Sequence, residues 1–241
     1  MLQSLSNVHG FKLHARDGEL GTADDVYFDD AHWMVRYLVV DTGKWLPGRL
    51  VLIAPPSVTG LNWTGRTISV DLTCDQVRNS PDASDDKPVS RQHEQALSVY
   101  YGWPPYWADP AGFEPFPLPV PQMVTGGTVP EGDPHLRSAR AIKGYHIAAL
   151  DGPIGRMSDF VFDDTTWQIS FLMVNTGSWL HERLVLIKPD WTKAISWDDR
   201  EVAVGLTREA VRTSPHFVEG FPMDPDYAVQ LLKHYQEGPR V

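Results

Sequence analysis

Apolar and polar positions alternate over short stretches of this chain, the period of half-buried strands. Val26 and Phe28 share one face of residues 25–28, and Phe160 and Phe162 do the same further on. Residues 33–40 and 167–174 are aromatic and β-branched runs, which predicts central strands. Leu50-Val51-Leu52-Ile53 and Leu184-Val185-Leu186-Ile187 are apolar throughout, which predicts strands covered on both faces. Residues 67–72 and 201–206 alternate again. Turn-forming residues separate these runs: Gly18-x-x-Gly21 and Gly152-x-x-Gly155, Asp29-Asp30-Ala31-His32 and Asp163-Asp164-Thr165-Thr166, Asp41-Thr42-Gly43 and Asn175-Thr176-Gly177.

The period then changes. Thr73-Cys74-Asp75-Gln76 and Thr207-Arg208-Glu209-Ala210 each begin with an N-cap threonine, and only Gln76 completes a capping box. Both helices should stop at Ser-Pro, because proline disfavours helix in the residue before it. A second helix is predicted over about 90–101 and matched by 224–235, with Leu97/Tyr101 and Leu231/Tyr235 as i,i+4 apolar pairs.

Every one of these elements therefore occurs twice, at a constant offset of 134 residues. His9-Gly10 matches Lys143-Gly144, Trp33 matches Trp167, Trp45 matches Trp179, and Trp63 matches Trp197. Arg49-Leu50-Val51-Leu52-Ile53 is repeated letter for letter at 183–187. About a third of aligned positions are identical, so the chain is a tandem duplication. Each copy is long enough for its own core. The expected division is a first repeat with trailing helices over 1–101, a linker strap over 102–134, and a second repeat with its helices over 135–241.

The strap holds nine prolines between Gly102 and Pro134, which excludes regular helix or central strand. Phe116-Pro117-Leu118-Pro119-Val120-Pro121 should be extended. Its aromatics are dense for a free linker, which is normally poor in them. They have no match after Tyr235. Tyr100, Trp103, Tyr106, Trp107, Phe113 and Phe116 are therefore the candidate partner-binding residues, with a strap packed across the two repeats as the other reading.

Composition narrows function by exclusion. A formal charge of −10 opposes direct nucleic-acid contact, whose affinity comes largely from lysine and arginine. It opposes anionic membranes for the same reason. Cys74 is the only cysteine, so no intrachain disulfide and no cysteine-based zinc site is expected. No signal-like segment opens the chain, and the longest apolar runs are too short to span a bilayer. A cytoplasmic location is the expectation.

The strand-turn-strand pattern resembles the PRC-barrel family. The resemblance rests on Gly18-x-x-Gly21 before Asp25-Val26-Tyr27-Phe28-Asp29, the strand at 33–41, residues 49–55 and Ser80-Pro81. The second copy offers Gly152-x-x-Gly155, 159–163, 167–175, 183–189 and Ser214-Pro215. The resemblance covers roughly two thirds of the chain. It implies a mainly β protein of two small antiparallel β-barrels, each followed by short helices. It also implies docking and assembly roles rather than catalysis, and it carries over no catalytic residues. No counterpart of the transmembrane helix of the photosynthetic reaction-centre H subunit or of the N-terminal domain of the ribosome maturation factor is expected from these residues.

Other constellations have plainer readings. Val39-Val40-Asp41-Thr42-Gly43 has the form of an aspartic-protease motif, but the second copy carries Asn175, which cannot share a proton with Asp41. Both residues are expected to cap one turn. Asp24, Asp25, Asp29 and Asp30 lack EF-hand spacing and read as turn acids. The nine histidines form no metal-ligand pair. No nucleophile elbow or phosphate loop is present. The matched tryptophans read as core or inter-repeat packing.

The expectation is a non-enzymatic protein-interaction or assembly module with a protein partner and no cofactor or metal, homo-oligomerisation being open. A hydrolase with its site between the repeats and a docking protein of ribosome maturation are the alternatives.

Overall fold

The computed structural model describes residues 1–43, 45–47, 49–82, 89, 91–105, 135–177, 183–196, 198–218, 220 and 223–237. The strap from 106 to 134 lies outside them. Among the described residues no helix is long and apolar enough to cross a membrane.

The first part of the chain forms β1 (Leu2–Ser4), β2 (Lys12–His14), β3 (Glu19–Asp29), β4 (Met34–Asp41), β5 (Leu50–Ile53), β6 (Val58–Asn62), β7 (Thr67–Val70), α1 (Cys74–Arg78) and α2 (Arg91–Tyr101). The second part forms β8 (Leu136–Ser138), α3 (Ala139–Ile142), β9 (His146–Ala149), β10 (Gly152–Asp163), β11 (Ile169–Asn175), β12 (Leu184–Ile187), β13 (Thr192–Ser196), β14 (Glu201–Val204), α4 (Arg208–Arg212) and α5 (Pro225–Glu237). The protein is mainly β, with two similar sheets of seven strands. Within each, the order runs β5-β4-β3-β2-β7-β6 or β12-β11-β10-β9-β14-β13.

This pairing differs from closed antiparallel barrels in two ways. β2 runs parallel to β7, and β9 runs parallel to β14. The strand path is open, since its end strands do not pair with each other among the described residues. The first comes from non-sequential neighbours, which local alternation does not encode, and the second from sequential strands, β5 and β6 or β12 and β13, that do not pair.

The seventh strand of each sheet is borrowed. β1 pairs with β10 of the second repeat, Gln3 opposite Phe162, whereas β8 pairs with β3 of the first, Arg137 opposite Phe28. The two pairings are equivalent under the 134-residue offset, so the repeats exchange strands reciprocally. A second reciprocal contact lies nearby. Met34 bridges its own counterpart Gln168. Val35 N–H donates to Trp167 O at 2.9 Å, and Ile169 N–H donates to Trp33 O at 2.8 Å. A patch that meets its own copy in this way is isologous, as in a two-fold dimer. The chain is thus a pseudo-two-fold dimer of its repeats.

Trp33 and Trp167 sit at this axis with φ of 55° and 62°, a conformation rare for bulky residues. It carries each carbonyl to the other repeat, so the strain is offset by the bond it permits. Both indoles are buried. Phe28 and Phe160 meet across the axis at 4.9 Å, and Trp63 packs on Phe162 at 6.3 Å while its Nε1 donates to Asp164 at 2.8 Å. Trp33 and Trp63 thus serve inter-repeat packing, and Trp45 Nε1 donates to Leu20 O within the first repeat. Trp179 and Trp197 lie outside the described residues.

Gly21 and Gly155 are required by crowding rather than by a turn. A Cβ on Gly21 would stand 2.1 Å from Asp41 O, and one on Gly155 would stand 2.0 Å from Asn175 O. The turn comes earlier, where Ala15 N–H donates to Gly18 O at 2.8 Å. The helix ends follow the sequence. Thr73 and Gln76 form a full capping box, while Thr207 caps Ala210 N–H alone. Arg49 and Arg183 each donate to carbonyls at and just beyond the C-terminal ends of these helices, Arg49 to Arg78 O and Ser80 O, Arg183 to Arg212 O and Ser214 O.

Candidate partner-binding site

The aromatic segment after α2 begins within the described residues. The Tyr100 hydroxyl donates to Gln76 O at 2.9 Å, and its ring is 41 % exposed beside Val99, which is 72 % exposed. Trp103 turns inward. Its indole is buried, stacks on Tyr101 at 4.2 Å and donates to Ser57 Oγ at 2.7 Å. The second repeat explains why Trp103 has no sequence match. Ser57 is there replaced by Trp191, whose own ring packs on Tyr235, the counterpart of Tyr101, at 4.5 Å. The same tyrosine is covered from two different chain positions. Tyr106, Trp107, Phe113 and Phe116 lie outside the described residues, so of the six candidates only Tyr100 and Trp103 are placed.

A second concave place lies at the strand exchange. A cleft of about 230 Å³ opens there, with Leu5, Val26 and Ala139 on its floor and His9, Arg140 and Lys143 on its rim. Its carboxylates hold the exchanged segments. Asp159 accepts from Ser4 Oγ, Ser6 Oγ and Ser6 N–H. Asp25, its counterpart, accepts from Ser138 Oγ at 2.5 Å and from Arg140 N–H at 3.1 Å. Asp24 adds two bonds from Arg140, both 2.9 Å. The cleft is smaller than most small-molecule pockets, which run to about 300–1,000 Å³. Its charges are committed to one another, which suits docking or packing better than proton transfer. Sequence reading missed this role of Asp25 and Asp159. The recurrence of Leu-x-Ser at 2–4 and 136–138 was the available signal.

The remaining acids have structural duties. Asp41 Oδ1 and Asn175 Oδ1 accept from Gly43 N–H and Gly177 N–H, each at 2.8 Å, so both cap the same turn. Asp29 accepts from Ala31 N–H and Arg36. Burial pushes its carboxyl up, but hydrogen bonds from Arg36, His32 and Ala31 outweigh this and hold it below the usual carboxylate range. Asp30 joins the exchange, meeting His135 at 2.9 Å and Arg137 at 2.6 Å. Among the described residues no cluster of three or more histidine, cysteine or acidic side chains has metal-site geometry. Comparison with models of known protein families gave no match, and no curated protein matched the chain.

Proposed function

We propose that this protein is a non-enzymatic assembly module of the PRC-barrel type, which holds a protein partner on a rigid two-repeat body in the cytoplasm. The reciprocal strand exchange carries the reading. It fuses two small domains into one body, and it uses the interface carboxylates for cohesion. A catalytic cleft would instead keep such groups poised for a substrate. Val99 and Tyr100 supply an exposed apolar pair on α2, next to the aromatic strap, where a partner would dock. Aromatic anchors of this kind carry much of the energy in protein interfaces. The test is affinity capture from the native cell with the wild type and with Val99→Glu. A stoichiometric complex with the wild type, lost in a variant that melts normally, supports the proposal. Turnover in a substrate screen, with no partner captured, would defeat it.

A further inference from the structure

The two junctions of the strand exchange are equivalent in backbone but not in charge. Where the second repeat crosses onto the first, Arg137 Nε donates to Asp30 Oδ2 at 2.6 Å, and Arg140 donates to both oxygens of Asp24 at 2.9 Å. Under the 134-residue offset Arg137 matches Gln3, Arg140 matches Ser6 and Asp24 matches Ser158, while Asp30 alone keeps an acidic match in Asp164. The core at the axis is unlike in the same way. Phe160 meets Phe28 at 4.9 Å, but the residue that matches Phe160 is Val26. The backbone bonds at the axis, Val35 N–H to Trp167 O and Ile169 N–H to Trp33 O, are the same from either side and do not tell the repeats apart. Like repeats would therefore pair less well. Two first repeats would set Asp30 opposite Gln3 and Asp24 beside Ser6, with neither arginine at hand. Two second repeats would give Arg137 an acid in Asp164 but leave Arg140 beside Ser158. They would also double Val26 or Phe160 in a buried core that holds one of each, and such cores tolerate neither lost nor added volume freely.

We infer that the exchange surface selects the unlike repeat whichever chain supplies it, so that its partner outside the chain is a second copy, bound first repeat to second. Arg137 with Asp30 and Arg140 with Asp24 are the pairs that set this choice. None of these contacts requires both repeats to belong to one chain. Reciprocal exchange between two copies makes every bond twice and closes, which is a low-cost route to a dimer. Covalent joining through residues 106–134 gives a repeat its own partner at about millimolar effective concentration, so closure within one chain prevails at micromolar protein. This inference does not depend on the assembly reading.

The test uses two full-length variants with reversed charges. Asp24→Arg with Asp30→Arg sets cations against Arg137 and Arg140 of the same chain. Arg137→Asp with Arg140→Asp sets acids against Asp24 and Asp30. Each repeat of one variant remains complementary to the unlike repeat of the other. Like charges brought face to face disfavour a wrong partner by about a hundredfold or more. Mixed in urea and refolded together at pH 7 and low salt, the two variants should give a 1:1 heterodimer of twice the chain mass, read by native mass spectrometry. The wild type treated alike should stay at the mass of one chain. A chain carrying all four substitutions regains complementarity within itself, so it should also stay at that mass and melt well above either double variant. This chain keeps the test decisive if a double variant fails to fold alone. Double variants that stay single in the mixture, homodimers as abundant as the heterodimer, or a four-substitution chain that melts no higher than its parents would each overturn the inference.

Discussion

Replacing Asp159 by alanine should loosen the strand exchange, and the cost can be worked from its contacts. Asp159 is 6 % exposed and accepts from Ser4 Oγ, Ser6 Oγ and Ser6 N–H, with Lys143 Nζ 3.6 Å away. Each hydrogen bond to a charged acceptor contributes about 1.5–3 kcal/mol, so the three together set an upper bound. Relaxation lowers the cost. Ser6 is half-buried and can reach water, and the two serine hydroxyls already lie 3.2 Å apart and can bond each other. Asp159→Ala is therefore expected to cost about 3 kcal/mol, and Asp159→Asn, which keeps one acceptor oxygen, about 1–2 kcal/mol. Urea unfolding measures both as shifts in midpoint at constant slope. Combining Ser4→Ala with Asp159→Ala should reveal a coupling of about 1 kcal/mol or more, because the two side chains share a bond. A loss below about 0.5 kcal/mol for Asp159→Ala, typical of a surface change, would refute the reasoning.

Three further outcomes are expected. Gly155→Ala should cost about 3 kcal/mol or more in the same assay, because its Cβ would stand 2.0 Å from the Asn175 carbonyl and force β10 from β11. Trp103→Ala should cost about 3–5 kcal/mol, since the indole is buried against Tyr101 and bonded to Ser57. Asp29 has a folded-state carboxyl held below the usual range, so its stabilisation is present in full above about pH 4 and is lost as pH falls through the folded value. Asp29→Asn should be less stable than wild type at pH 7, and acid unfolding curves should show that gap closing only below about pH 4.

The duplication, the turns and the helix starts were legible because each depends on local chemistry repeated in register. Thr73 with Gln76 specifies a capping box without reference to the rest of the fold, and Asp41 and Asn175 specify the same turn. The glycines were legible as special, but the reason was not. Gly21 is crowded by Asp41, twenty residues on, and turn chemistry does not record such a contact. The exchange itself was hidden. β1 has three residues, too few for alternation to register, and the offset places it equally well against Phe28 or Phe162. Extending the repeat back from His9 to Leu2 would have found the strand but not its partner. Trp103 stood out in the sequence, but its place against Tyr101 did not, since Trp191 does the same packing from another position.

Backbone NOE spectroscopy of the labelled full chain tests the central claim most directly. The reciprocal exchange predicts interstrand contacts from Gln3 to Phe162 and from Arg137 to Phe28. Contacts from Gln3 to Phe28 and from Arg137 to Phe162 would mean that each repeat keeps its own first strand, and would contradict it.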